Sequence, residues 1–91
     1  MEHKDDLIER VADVILAAFP KAEIHDLMID PGGFGRVTGV IVHPSFATMK
    51  QLTRQKRLWE RLRADLREDE IRRLSILMTV SPREYEAILA D

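Results

Sequence analysis

Apolar residues recur along this chain at helical spacing, then in alternation, then at helical spacing again. Leu7, Ile8, Val11, Val14, Ile15, Ala18 and Phe19 share one side of a first helix. Asp5 or Asp6 is placed to cap it, and Pro20 ends it because the residue before a proline avoids the helical region. Residues 22–29, AEIHDLMI, predict a strand, although Ile24, Asp26 and Met28 alternate imperfectly with His25, Leu27 and Ile29. Turn formers crowd Asp30-Pro31-Gly32-Gly33-Phe34-Gly35, and residues 36–43, RVTGVIVH, predict a second strand. A short loop between two strands makes a hairpin the simplest connection.

Pro44 stops the second strand, and Ser45 is expected to cap a helical turn over residues 46–49. A long helix follows over residues 50–67, with Leu52, Leu58, Trp59, Leu62 and Leu66 as its buried seam. It is expected to fray at Glu68-Asp69-Glu70, since acidic residues at a helix C-terminus oppose its dipole. Residues 72–80 alternate Leu74, Ile76, Met78 and Val80 as a third strand. Ser81-Pro82-Arg83-Glu84 then reads as a capping box with proline at the first helical position, and Tyr85, Ile88 and Leu89 give the last helix an apolar side. The order α-β-β-α-(α)-β-α predicts an α+β two-layer sandwich, a three-stranded mixed sheet with helices on one face. Ile24, Met28, Val37, Ile41, Leu58, Leu62, Ile76 and Met78 are its expected core positions, with Trp59 joining them from the seam.

Composition narrows the class. Ninety-one residues, 45% hydrophobic and 33% charged, make one small soluble domain. No apolar run approaches the ~20 residues of a membrane span, and the charged first ten residues lack the apolar core of a signal peptide. With no cysteine the chain has no disulfide, thiol nucleophile or thiolate ligand, which fits a cytoplasmic protein. The net charge of −2 conceals an asymmetry: residues 1–49 hold four Lys/Arg against eight Asp/Glu, whereas residues 50–73 hold nine against five. Lys50, Arg54, Arg57 and Arg61 run along one side of the long helix, and Lys56, Arg63 and Arg67 along the other. This positive surface either attracts an anionic partner or is a solvated face laced with pairs such as Arg57 or Arg63 with Glu60.

Little in the chain suggests catalysis. It has no GxSxG elbow, no HExxH, no phosphate-binding loop and no Cys-His pair, and Ser45 and Ser81 both have capping explanations. The histidines are His3, His25 and His43; even with Asp26 and Asp30, the last two read as strand histidines bonded to backbone or water. The expectation is a non-enzymatic domain with no cofactor and no metal.

Five features in order resemble the BolA-like proteins, small domains with a class II KH-like fold. Phe19-Pro20 closes the first helix, and Phe46 lies where the family has a Phe-x-Gly turn. Arg54-Gln55-Lys56-Arg57-Leu58-Trp59-Glu60-Arg61-Leu62 is similar to the family's Arg-His-Arg-x-Val-Tyr-x-x-Leu helix. Ile71-Arg72-Arg73-Leu74 stands at its Ile-His-Ala-Leu, and Ser81-Pro82-Arg83-Glu84-Tyr85 at its Thr-Pro-x-Glu-Trp. The resemblance runs over residues 7–86. It implies partnership with monothiol glutaredoxins and shared ligation of an iron–sulfur cluster, or regulation with DNA contact through the KH-like face. Cluster ligation is not expected here. Arg72 replaces the ligand histidine and its guanidinium stays protonated, while the loop from Asp30 to Arg36 has no Cys or His. Gly32-Gly33-Phe34-Gly35 has the spacing of a KH Gly-x-x-Gly loop but lies between strands, as a hairpin turn.

The chain is therefore expected to be a BolA-like regulatory binding domain contacting nucleic acid through Lys50, Arg54, Lys56, Arg57, Arg61 and Arg72. The alternatives are a glutaredoxin adaptor whose cluster ligands have gone, and a homodimer or part of a larger assembly formed by edge-strand or helix contacts.

Overall fold

The computed structural model describes residues 6–30 and 35–90, so His3, Asp5 as a cap, and Pro31 to Phe34 of the turn lie outside the described residues. The elements are α1 (Asp6–Ala18), β1 (Glu23–Ile29), β2 (Val37–Val42), α2 (Gln51–Asp65), α3 (Glu68–Ile71), β3 (Leu74–Val80) and α4 (Pro82–Leu89), with a 3-10 turn at Pro44–Thr48 before α2. The sheet order is β1-β2-β3: β2 is central, antiparallel to β1 and parallel to β3. This is the expected α+β layout with a mixed three-stranded sheet. A parallel neighbour requires a crossover, and α2 with α3 supplies it. Among the described residues no helix is long and apolar enough to cross a membrane.

The core lies between one sheet face and the helices α1 and α2. Leu7, Val11, Val14 and Ile15 of α1, with Phe19 beyond its end, meet Val37 and Ile41 of β2 and Leu58, Leu62 and Leu66 of the α2 stretch. Phe46 is fully buried and packs edge-on against Phe19, with ring centroids 4.9 Å apart. Helix α4 crosses the sheet's Val42/Val80 end. Its Tyr85 ring stacks on His25, with centroids 4.5 Å apart.

Two irregularities in the sheet correct the expected core. The β1–β2 register shifts between His25 and Met28, where Asp26 takes the left-handed backbone (φ 57°). Asp adopts that conformation more readily than most residues. The β2–β3 register shifts between Val37 and Gly39, opposite Ser75 and Ile76. Each extra residue inverts the side-chain alternation beyond it. Leu27 and Leu77 therefore turn towards the core, and the expected core residues Met28, Ile76 and Met78 are exposed. Val37, Ile41, Leu58 and Leu62 are buried as expected, and Ile24 and Trp59 are partly buried against them. Gly39 makes the first bulge possible: a Cβ there would lie 3.0 Å from Leu27 Cδ1 and 3.3 Å from Leu27 Cα.

Three local expectations are also revised. His43, not Ser45, caps the 3-10 turn, its Nδ1 accepting from Ser45 N at 3.1 Å. Leu52, placed in the seam by its spacing, is 81% exposed. The acidic run does not fray the long helix but starts a new one. Leu66 and Arg67 are extended, and Glu68, Asp69 and Glu70 form the first turn of α3, where negative charge favours the dipole. Glu70 ties this break to α1. It accepts from Arg10 Nε and Nη2 at 2.7 and 3.0 Å and from the Arg67 N–H at 2.9 Å, bonds that hold its carboxyl below the usual range. The capping box of α4 forms as expected, with Ser81 N donating to Glu84 Oε1 at 2.8 Å and Glu84 N to Ser81 Oγ at 3.2 Å.

Replacing Glu70 by Ala removes three bonds at a buried carboxylate. It is expected to lower the unfolding free energy by about 1–3 kcal/mol, measured by urea titration. Gly39→Val is expected to cost about as much through overpacking against Leu27.

Candidate nucleic-acid interface

Arg54, Leu58, Leu62 and Leu66 follow one another at intervals of four, which places the arginine in line with the seam rather than on the flank assigned to it. In the structure Arg54 is 5% exposed. Its guanidinium donates to Met49 O at 3.0 Å, to Thr79 O at 3.1 Å and to both Glu84 carboxylate oxygens at 2.7 and 3.2 Å, and it lies over the Phe46 ring. Arg54 thus clasps α2, β3 and α4 together and is withdrawn from any exposed surface. Glu84 is correspondingly acidified: the Arg54 bonds, then the Ser81 N–H, lower its carboxyl to about 2.

The glutamines beside Arg54 satisfy the free edge of β3. Gln51 Nε2 donates to Thr79 O at 3.2 Å, and Gln55 Nε2 donates to Leu77 O at 2.9 Å. Thr79 Oγ1 bridges the two side chains, donating to Gln51 Oε1 at 2.6 Å and accepting from Gln55 Nε2 at 3.1 Å. Gln55 Oε1 in turn accepts from Trp59 Nε1 at 3.1 Å, which orients the indole along the same flank of α2.

The remaining basic residues divide into two groups. Arg57 and Arg61 are exposed on the α1 side, around a 280 Å³ hollow that also includes Ala18, Phe19 and Glu60. Arg61 is engaged there by Asp65 at 3.3 Å. On the opposite flank Lys56, Trp59 and Arg63 succeed one another at helical spacing above the β3 edge. Two hollows lie along this flank. One, of 410 Å³, is lined by Gln51, Gln55 and residues 75–80; the other, of 520 Å³, by Arg63, Leu66, Glu68, Ile71 and Arg72. Arg72 is exposed, with Glu68 at 3.9 Å, and Lys50 is exposed at the N-cap of α2. Of the six expected site residues, Arg72 therefore lines one of these hollows, and Lys56 stands exposed on the same flank. Arg57 and Arg61 face the other side, Lys50 stands at the helix start, and Arg54 is internal. Arg63 lines the same hollow as Arg72, and Trp59 is tied to Gln55 of the other, although neither was among those six. Their spacing from Lys56 was the available signal.

His25 and His43 are engaged structurally. Besides the bonds of its Nδ1 with Ser45, His43 places Nε2 3.0 Å from Pro20 O, and its ring packs beside the paired rings of Phe19 and Phe46. His25 is 3.2 Å from Glu23 and stacked on Tyr85. Among the described residues, no three His, Cys, Asp or Glu side chains form a group that could hold a metal ion.

Arg54→Ala leaves the Met49 carbonyl without its guanidinium partner and removes buried packing. It is expected to cost about 2–4 kcal/mol in urea unfolding. The folded state favours ionised Glu84, so this group's stabilisation is complete above its ordinary value of 4.5 and is lost as pH falls towards 2. The Glu84→Gln variant is expected to lose less stability than the wild-type chain over that interval, measured by thermal melts at stepped pH.

Compared with models of known protein families the chain matches none, and no curated protein matches it.

Proposed function

We propose that this chain is a non-enzymatic regulatory binding domain of the BolA-like kind, cytoplasmic, and that it holds a nucleic-acid strand in the groove between α2 and the free edge of β3. The observation that carries this reading is the pair Arg63 and Arg72 lining one 520 Å³ hollow, with exposed Lys56 and half-buried Trp59 next to Arg63 at helical spacing on α2. Lysine and arginine along a groove neutralise successive phosphates, and a half-buried indole offers a stacking surface that tolerates any base. Lys50, Arg57 and Arg61 add to the general positive field of α2 rather than to the groove itself.

A second reading, an adaptor for a monothiol glutaredoxin, is favoured by the apolar sheet face that α1 and α2 leave uncovered, where Met28, Ile76 and Met78 are exposed. In that reading the partner supplies every cluster ligand.

The test is fluorescence anisotropy with labelled single- and double-stranded oligonucleotides at about 50 and 200 mM salt. Each phosphate contact on a single strand contributes about 0.7 to the slope of log affinity against log salt. Lys56→Glu combined with Arg63→Glu is expected to weaken binding at the lower salt at least about tenfold and to flatten that slope by more than one. Arg61→Glu, across the helix, is expected to have a smaller effect. Absence of binding at the lower salt overturns the nucleic-acid reading. Co-elution with a glutaredoxin would then support the adaptor.

A further inference from the structure

On the flank of α2 above the β3 edge, Gln51, Gln55, Trp59 and Arg63 form a row, each four residues after the last. Gln51 and Gln55 line the 410 Å³ hollow, and Arg63 lines the 520 Å³ hollow with Arg72. Trp59 stands between them, one turn from Gln55 and one from Arg63. It is half-buried against the core, and its Nε1 donates to Gln55 Oε1 at 3.1 Å. In the larger hollow Leu66 is buried and Ile71 half-buried, whereas Arg63, Glu68 and Arg72 are exposed. An apolar surface and a cationic rim therefore lie together there. The polar side chains of the smaller hollow are already engaged. Gln51, Gln55 and Thr79 bond to one another and to the carbonyls of Leu77 and Thr79.

We propose, resting on the nucleic-acid reading above, that this row takes a single strand in preference to a duplex and does so with little regard to base sequence. A duplex keeps its base faces within its own stack and presents phosphates and groove edges to a protein. It leaves the indole and the Leu66–Ile71 surface without a complement. An unpaired base has a free π-face that suits an indole, and its phosphates fall to neighbouring cations. Lys56 precedes Trp59 by three residues and Arg63 follows it by four, so a base on the indole has a positive group to either side. The row from Gln55 to Arg63 spans about 12 Å of helix, the length of about three to four nucleotides along one stacked strand. Sequence tolerance follows from the bonds within the smaller hollow. The amides that could read a base edge are held by β3 and by each other, so binding draws on stacking and charge, which every nucleotide supplies. Electrostatics alone gives the opposite preference, because the duplex has the higher charge density.

The test follows the emission of Trp59, the only tryptophan of the chain. Oligothymidylate and oligouridylate of about 20 nucleotides, and the duplex of oligothymidylate with oligoadenylate, are titrated into the wild-type protein at about 50 mM salt. The single strands are expected to quench the indole and to bind at least about fivefold more tightly than the duplex, the contribution of one stacked base. Either strand outbinding the duplex supports the proposal, and the tighter of the two identifies the sugar. A mixed-sequence strand is expected to bind within about threefold of oligothymidylate. Trp59→Leu is expected to weaken strand binding at least about fivefold and duplex binding by less than about twofold, and Trp59→Phe, which keeps a ring, to recover most of the loss. A damaged fold weakens both alike. Equal or tighter binding of the duplex, saturable strand binding with unchanged emission, or a sequence preference beyond about tenfold overturns the proposal and leaves the groove a phosphate-binding surface. If neither strand nor duplex binds, the proposal falls together with the reading on which it rests.

Discussion

The free edge of β3 is the place on which the rest of the architecture depends. An edge strand offers unpaired backbone groups, and this one lies beneath the helix layer, where they need partners. Gln51, Arg54 and Gln55 answer that need within two turns of α2, taking the carbonyls of Leu77 and Thr79. The same residues settle three other matters. They set the height of α2 above the sheet, they orient Trp59, and through Arg54 they anchor Glu84 and with it α4. They also leave no open carbonyl row at those two positions for another chain to add a strand.

The positive charge of the middle segment consequently has several fates. Arg54 is structural and internal, and Arg61 and Arg67 are engaged by Asp65 and Asp69 at the surface. Such exposed pairs contribute little to stability and still present charge to solvent. Arg63 and Arg72 line one hollow together. A formal count of nine basic residues in the segment therefore overstates the surface available to an anion, and the geometry decides which of them can act together.

Much of the fold was legible because it follows from local rules. The inner side of α1, the proline stops and the Ser81–Glu84 box depend on near neighbours in the chain, and they stand where the residues predict. What escaped depends on distant partners. The core positions in β1 and β3 were misassigned because each strand carries an extra residue that alternation cannot reveal. The imperfect pattern around Asp26 was the only trace. Arg54 was misplaced because basic residues default to the surface, although its spacing with Leu58 and Leu62 pointed inward. Glu70 was read as a poor helix end because its value lies in Arg10, sixty residues away. The site was legible as a basic helix and no further, since the choice of flank is made by the β3 edge.

The parallel pairing of β2 with β3 also bears on the order in which the molecule can assemble. Strands β1 and β2 are neighbours in the chain and can pair as soon as both exist. The central strand then waits with one edge bare until β3 has been made, because its second neighbour comes from the far side of α2 and α3. During synthesis from the ribosome that interval spans more than thirty residues, and the bare edge belongs to Val37–Val42, among the most apolar stretches in the chain. The stage most exposed to misassociation is thus the half-built sheet, before Leu74–Val80 closes it.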